Sequence, residues 1–230
     1  MINGIELERV NSTKFLGVLI QENLMWNTHI NYVCDKVSKA TALLAKLKHY
    51  LPKYVLMLIY NSLCLSHMSY ALSVWGAAPM SAIDRLHKLH KKGIRHVCNT
   101  KYNAHTEPIL KRERILKLDD LFKLQCIKLM HKKANNTLHE YHVSKLLTNF
   151  EKTQVNSRYK DNIKLDKQNN NLSKINSINY KVGTSWNELD LSIRASVNKT
   201  LPTLTRHVKN WYLSKYNGTC ILDCCYVCRS

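Results

Sequence analysis

From Ile30 to Leu47 the apolar residues keep a helical beat. Ile30, Val33, Cys34, Val37, Ala40, Leu43, Leu44 and Leu47 recur at steps of three and four, the spacing of one face of an α-helix. Such a helix must lay its stripe on other helices, and the chain supplies them. Asn27 or Thr28 is the expected cap. Pro52 ends this helix and opens the next. That second segment, from Lys53 to Gly76, is apolar nearly all round and is expected as the buried centre of a bundle. Gly76 and Pro79 break it. A third helix, from Ser81 to Cys98, turns Ile83, Leu86, Ile94 and Val97 inward. A short helix carries Pro108 in its first turn, and Asp119 or Asp120 caps a further helix through Leu129 to Lys133. Trp75 and Trp186 are expected core anchors.

Ahead of Asn27 the runs INGIELERV and TKFLGVLI are β-prone and read as a two-stranded hairpin joined at Asn11-Ser12. Two strands rarely hold together alone in water, so this hairpin needs a sheet or helices to lie on. Residues 151–181 are rich in Asn, Lys, Ser and Gln and read as a flexible linker, with weak strands near Ile163–Leu165 and Ile175–Tyr180. Order returns with SWNELDLSIRASV and LPTLTRHVKNWYLSKY, where Leu204, Val208, Trp211 and Tyr212 form a helical stripe. The expected architecture is mainly α: a β-hairpin over 1–21, a helical bundle over 22–135, a linker over 136–182, a short C-terminal helical segment over 183–217 and a Cys-rich tail over 218–230.

The charge is lopsided. Lys and Arg number 35 against 16 Asp and Glu, a net +19. Such a surplus points first to nucleic acid and second to an anionic membrane surface. Between Ser81 and Lys133 fourteen basic residues face five acidic ones. Arg85, Lys88, Lys91, Lys92 and Arg95 of the third helix are the candidate phosphate contacts, all taken as exposed; the plainer alternative is a solvated face. His87, His90 and His96 are expected in ordinary polar surface roles. No apolar run approaches the roughly 18 residues of a membrane span, and no membrane partner is expected. Acidic residues in MINGIELERV stand where a signal peptide would be apolar. An intracellular setting, nucleus or cytoplasm, is therefore expected, with Cys34, Cys64, Cys98 and Cys126 as buried free thiols. The tail sets Cys220, Cys224, Cys225 and Cys228 within nine residues. Four thiolates bind zinc tetrahedrally, but in the usual structural sites a dozen residues or more separate the Cys pairs. These four are weak metal candidates, and zinc is not expected.

Taken in order, KFLGVLI, LMWNTHI, INYVCDKVSKA, HYLPK, LIYNSL, YALSVWG, LHKLHKKGIRHV and YNAHTEPIL resemble the region just after the catalytic palm in reverse transcriptases of non-LTR retrotransposons, the jockey-like LINE group. GTSWNELDLSIRASVNKTLPTLTRHVKNWYLSKY resembles the closing segment of the same family, and the similarity spans about residues 3–217. The resemblance implies that Phe15, Leu16 and Gly17 belong to the end of the palm near the primer grip. It implies that residues 28–133 form the thumb, which holds the template–primer duplex. Gly17 has two readings, close approach of a primer backbone or a kink in a strand. Trp26 and His29 are expected to pack at a helix start.

A polymerase needs carboxylates to hold two metal ions, and in the family these lie upstream, including a Tyr-x-Asp-Asp turn. Asp119-Asp120, the single Asp-Asp pair, is expected to cap a helix. Gln21 stands where the family often has Asp, Leu189-Asp190 replaces Leu-Pro, and Gly183-Thr184 replaces Gly-Pro. The resemblance thus implies a nucleic-acid-binding C-terminal portion of an RNA-directed DNA polymerase, with no catalytic residue and no cofactor of its own. Magnesium belongs to the parent enzyme, and the partners are an RNA–DNA or DNA duplex and an upstream palm. A truncated element copy and an incomplete gene model of an active reverse transcriptase both fit that reading. The alternative from another class is a helical protein-interaction domain whose charge serves solubility.

Overall fold

The computed structural model describes residues 10–138 and 178–218. The first β run up to Arg9, the strand expected at Ile163–Leu165 and the four tail cysteines lie outside the described residues. The described residues open with β1 (Ser12–Phe15) and β2 (Val18–Gln21), an antiparallel pair with Phe15 opposite Val18. Helices follow: α1 (Asn27–Leu47), α2 (Lys53–Ile59), a π-helical turn (Tyr60–Leu65), α3 (Ser66–Ser69), α4 (Leu72–Trp75), α5 (Met80–Val97), α6 (Thr106–Arg112) and α7 (Leu118–Ala134). After the undescribed stretch come α8 (Ile178–Asn187), α9 (Leu191–Arg194), a 3-10 turn (Ala195–Asn198) and α10 (Leu201–Ser214). The fold is mainly helical behind an N-terminal hairpin, as the periodicity predicts.

The hairpin turns at a different place from the one expected. Its two-residue loop is Leu16-Gly17, with φ of 45° and 81°, not Asn11-Ser12. A tight loop matched to strand twist needs positive φ at both positions, and Gly17 takes that conformation without a Cβ penalty. The run TKFLGVLI is therefore two strands and not one. Leu16 has no such freedom, and its carbonyl accepts a hydrogen bond from the Tyr70 hydroxyl at 2.6 Å. The hairpin does not stand alone: Val18 is buried, and the Leu19 amide donates to His29 Nδ1 at 3.3 Å.

Helix α1 starts at Asn27, but neither Asn27 nor Thr28 caps it. The Gln21 side chain accepts from the Thr28 amide at 3.0 Å, while Trp26 holds the opening bend at φ 62°. The last residue of β2 thus takes the role of a cap. The predicted stripe is buried except at Leu43, which is exposed, and Leu47, which is half-covered.

The second segment is not the buried centre. Leu56, Tyr60, Cys64, Met68, Leu72 and Trp75 face the core, while Tyr54, Leu58, Leu63, Tyr70 and Val74 meet solvent. From Leu56 to Leu72 the buried positions recur every four residues, which overshoots the 3.6-residue turn. The wider i→i+5 turn at Tyr60–Leu65 absorbs the excess and keeps these side chains on one face. The helix then breaks at Ala71, with φ 49°, ahead of α4.

The central helix is instead α7. It packs on α8 and α10 and also on α3 and α4, and none of its residues from Asp120 to His131 is exposed. Gly76 lets the two halves close: a Cβ there would sit 2.5 Å from both the Leu72 carbonyl oxygen and the Phe122 ring. Ile178–Tyr180, expected as part of a weak strand, are helical. Val182 and Trp186 lie one turn apart and bury the face of α8. Trp75, Trp186, Leu204, Val208 and Tyr212 join the same hydrophobic core as the helices of the first half. The C-terminal segment is thus part of one packed body.

Candidate nucleic-acid interface

Helix α5 carries the candidate cations, and its inner side packs on the core. Ile83, Leu86, Ile94 and Val97 are buried as expected. His90, expected at the surface, is buried between them, and its Nδ1 lies 2.6 Å from the Tyr60 hydroxyl. Burial, with His87 and Lys91 nearby, pushes His90 down to about 4, so it is neutral near pH 7. His87 is also drawn inward, with its Nε2 3.2 Å from Asp119 Oδ1 on α7. His96 is half-buried, and its pKa is lowered by burial and then by Lys48, Lys92 and Arg95. Polar residues on a basic helix are mostly solvated, so sequence alone points all three imidazoles outward. Tyr60 and Asp119 supply partners that no local pattern announces.

The outer side carries the cations. Arg85, Lys88, Lys91 and Lys92 are exposed. Arg85 reaches Asp35 of α1 at 3.1 Å, and Lys88 reaches Asp84 one turn back at 2.6 Å. Both are surface pairs, worth little and easily exchanged for a phosphate. Lys91 and Lys92 have no hydrogen-bond or ion-pair partner among the described residues. Lys48, at the end of α1, is close enough to His96 to act on it together with Lys92, so the positive face extends onto the neighbouring helix.

Arg95 is different. It is half-buried, burial lowers its pKa, and its Nε donates to the Ala104 carbonyl at 2.8 Å. That bond ties α5 to the loop before α6, so Arg95 is a structural residue as well as a cation. The expectation that it is exposed like the three lysines is corrected. Beside it, Lys91, Arg95, Thr106, Glu107 and Asn217 enclose much of a cleft of about 250 Å³.

The hairpin residues Phe15, Leu16 and Gly17 form an exposed tip, with Phe15 62% and Leu16 75% accessible. The Tyr70 ring lies 3.5 Å from where a Gly17 Cβ would be. Gly17 therefore serves a turn seated on Tyr70. Trp26 and His29 pack as expected: His29 is buried and meets the Trp75 ring edge-on at 5.6 Å.

Asp119 and Asp120 lie in the first turn of α7 but make no capping hydrogen bond. Asp119 faces His87, which lowers its pKa. Asp120 accepts a hydrogen bond from the Tyr216 hydroxyl, and burial raises its pKa. Tyr216 also accepts from the Lys117 amide at 2.8 Å, and its carbonyl accepts from Lys111 Nζ at 2.7 Å. This anchor for the C-terminal segment leaves no local signal in the sequence, because its partners lie about a hundred residues away. Among the described residues no three His, Cys, Asp or Glu side chains are gathered as a metal site, and no helix is long and apolar enough to cross a membrane.

Compared with protein-family models, with curated proteins and with solved structures, the chain gives no match.

Proposed function

We propose that this chain is a nucleic-acid-binding module that holds a duplex by its phosphates through the outer face of α5. The observation that carries this reading is the row of exposed cations, Arg85, Lys88, Lys91 and Lys92, on a helix whose other side is locked by Tyr60, Asp119 and the core. From Arg85 to Lys92 the helix rises about 10 Å, roughly three nucleotide steps of 3.4 Å along one strand. The resemblance to the post-palm region of non-LTR reverse transcriptases favours the same role, with this chain as the thumb and C-terminal portion and without catalysis of its own. Both members of the Asp-Asp pair are engaged by His87 and Tyr216, which favours a structural use for them.

The test is duplex binding against salt. Changing Lys88, Lys91 and Lys92 together to Gln is expected to weaken binding to all sequences alike and to flatten the log–log salt slope by roughly 2 to 3, since each neutralised phosphate contributes about 0.9. Thermal stability should hold, because exposed lysines cost about half a kcal/mol or less on removal. Unchanged binding by a stable triple variant removes this function.

A second reading rests on another surface. Phe15, Leu16 and Tyr70 are all exposed apolar side chains, and the Tyr70 hydroxyl is bonded to the Leu16 carbonyl in the hairpin turn next to Phe15. Exposed apolar groups gathered in this way favour contact with another polypeptide. The resemblance names a palm domain for that place. Phe15→Ser leaving every protein contact of the chain unchanged would count against it.

A further inference from the structure

We infer that the cleft between the C-terminal half of α5 and the start of α6 is a seat for a single phosphate group. The inference rests on the proposed function for the source of that phosphate, but on the cleft itself for its chemistry.

Lys91 and Arg95 line the cleft together with His105, and neither Lys91 nor Arg95 has an ion-pair partner among the described residues. Lys91 has no hydrogen-bond or ion-pair partner among the described residues. The Arg95 guanidinium is oriented by one bond, from Nε to the Ala104 carbonyl. Its two terminal nitrogens make no hydrogen bond to the described residues. A guanidinium held at one corner with its fork open is suited to an oxyanion, which takes two parallel N–H donors. The acid in the wall does not cancel this charge. Glu107 Oε1 is 3.1 Å from Lys117 Nζ and accepts from the Asn217 amide at 3.1 Å. Its charge is thus engaged by the residue before α7 and by the chain that follows α10.

Size narrows the ligand. The volume, about 250 Å³, falls below the roughly 300–1,000 Å³ of pockets that enclose a drug-sized molecule. A phosphate with part of its sugar fits better than a nucleotide with its base. Lys88 and Lys92 continue along the same helix, so a backbone seated in the cleft would run on over the exposed face. Arg95 would then fix the register of the strand, because it alone of these cations is positioned by a bond to the backbone of another segment.

The probe is inorganic phosphate, compared with chloride at matched ionic strength, acting on the melting temperature of the full chain. Phosphate is expected to raise the melting temperature by a few degrees in the unaltered protein and in Lys88→Gln. The rise is expected to vanish in Lys91→Gln, whose side chain is exposed and has no hydrogen-bond or ion-pair partner among the described residues, and to shrink in Arg95→Lys, which keeps the charge but loses the fork. Equal melting in phosphate and chloride overturns the inference, as does a rise that survives Lys91→Gln. A duplex arm separates the two readings. A salt-dependent duplex complex without any phosphate-specific rise overturns the cleft and leaves the α5 face standing. A rise lost in Lys91→Gln, with no duplex binding at all, supports the cleft for free phosphate compounds and overturns the nucleic-acid reading.

Discussion

Helices α5 and α7 are nearly equal in length, 18 and 17 residues, and both are rich in lysine. Their cations live in different surroundings. On α5 the basic side chains project from one wet face, and the opposite face is apolar except for a histidine tied to Tyr60. On α7 the cations are spread around a helix with no exposed residue between Asp120 and His131. Lys123 pairs with Glu188 at 2.7 Å, Lys128 is half-buried with a pKa lowered by burial, and His131 Nε2 lies 2.8 Å from the Lys199 carbonyl. Counted along the chain the two helices contribute to one basic surplus. In space, Arg85, Lys88, Lys91 and Lys92 of α5 stand exposed, whereas on α7 Lys123 is tied to Glu188 and Lys128 is half-buried. Charge is available for recognition only where the protein has not already used it.

That contrast can be broken most severely through α8. Trp186 is buried against the core that α7 organises, and Trp186→Ala should cost about 3–5 kcal/mol. Denaturant unfolding should show a single transition at lower midpoint. Two separate transitions would mean that α8 and α10 form a satellite, and that α7 is an edge helix like α5.

The next effect concerns the hidden side of α5. His90 has an ordinary value of 6.5 and stands at about 4 in the fold. The unfolded chain therefore binds its proton first as pH falls. The neutral histidine's contribution is whole above about pH 6.5 and is lost as pH drops from there toward 4, about 3 kcal/mol across the window. Part of the acid sensitivity seen by chemical unfolding at pH 7, 6, 5 and 4.5 should disappear in His90→Gln, which keeps a hydrogen-bonding partner for Tyr60. An unaltered pH profile would show that His90 is not the group responsible.

A smaller effect separates the two sets of cations by binding. Lys123→Gln with Lys128→Gln should shift the duplex salt slope by less than about one, against roughly 2 to 3 for the three α5 lysines. Equal slopes for the two variants would mean that the whole basic stretch meets the ligand and that α5 holds no special place. Least of all, Lys123→Met should change stability by about 0–1 kcal/mol, since the Lys123–Glu188 pair is partly exposed. A loss well above that would make it a keystone of the α7–α8 contact.

Much of this molecule is legible without coordinates. The burial of Ile30, Val33, Cys34 and Val37 on α1, and of Ile83, Leu86, Ile94 and Val97 on α5, follows from period alone, because each helix has one dry side. The exposed set Arg85, Lys88, Lys91 and Lys92 follows from the same geometry. The helices broken by Pro52 and Pro79 begin where proline allows. Periodicity fails where a helix has no single dry side. Lys53–Trp75 looks buried all round yet exposes Tyr54, Leu58 and Val74, and α7, which shows no single apolar stripe, has no exposed residue from Asp120 to His131.

What the sequence determined by itself is the helical class, the faces of α1 and α5 and the excess of positive charge. These depend on the order of neighbours and on the pitch of a helix. What only the tertiary structure decided is which charges remain free and which polar groups are buried. Tyr60 meets His90 across thirty residues, Tyr216 meets Asp120 across ninety-six, and Arg95 turns to the Ala104 carbonyl while Lys91 does not turn inward. A hydrogen bond depends on three-dimensional distance, and the sequence interval between such partners carries no period to reveal it.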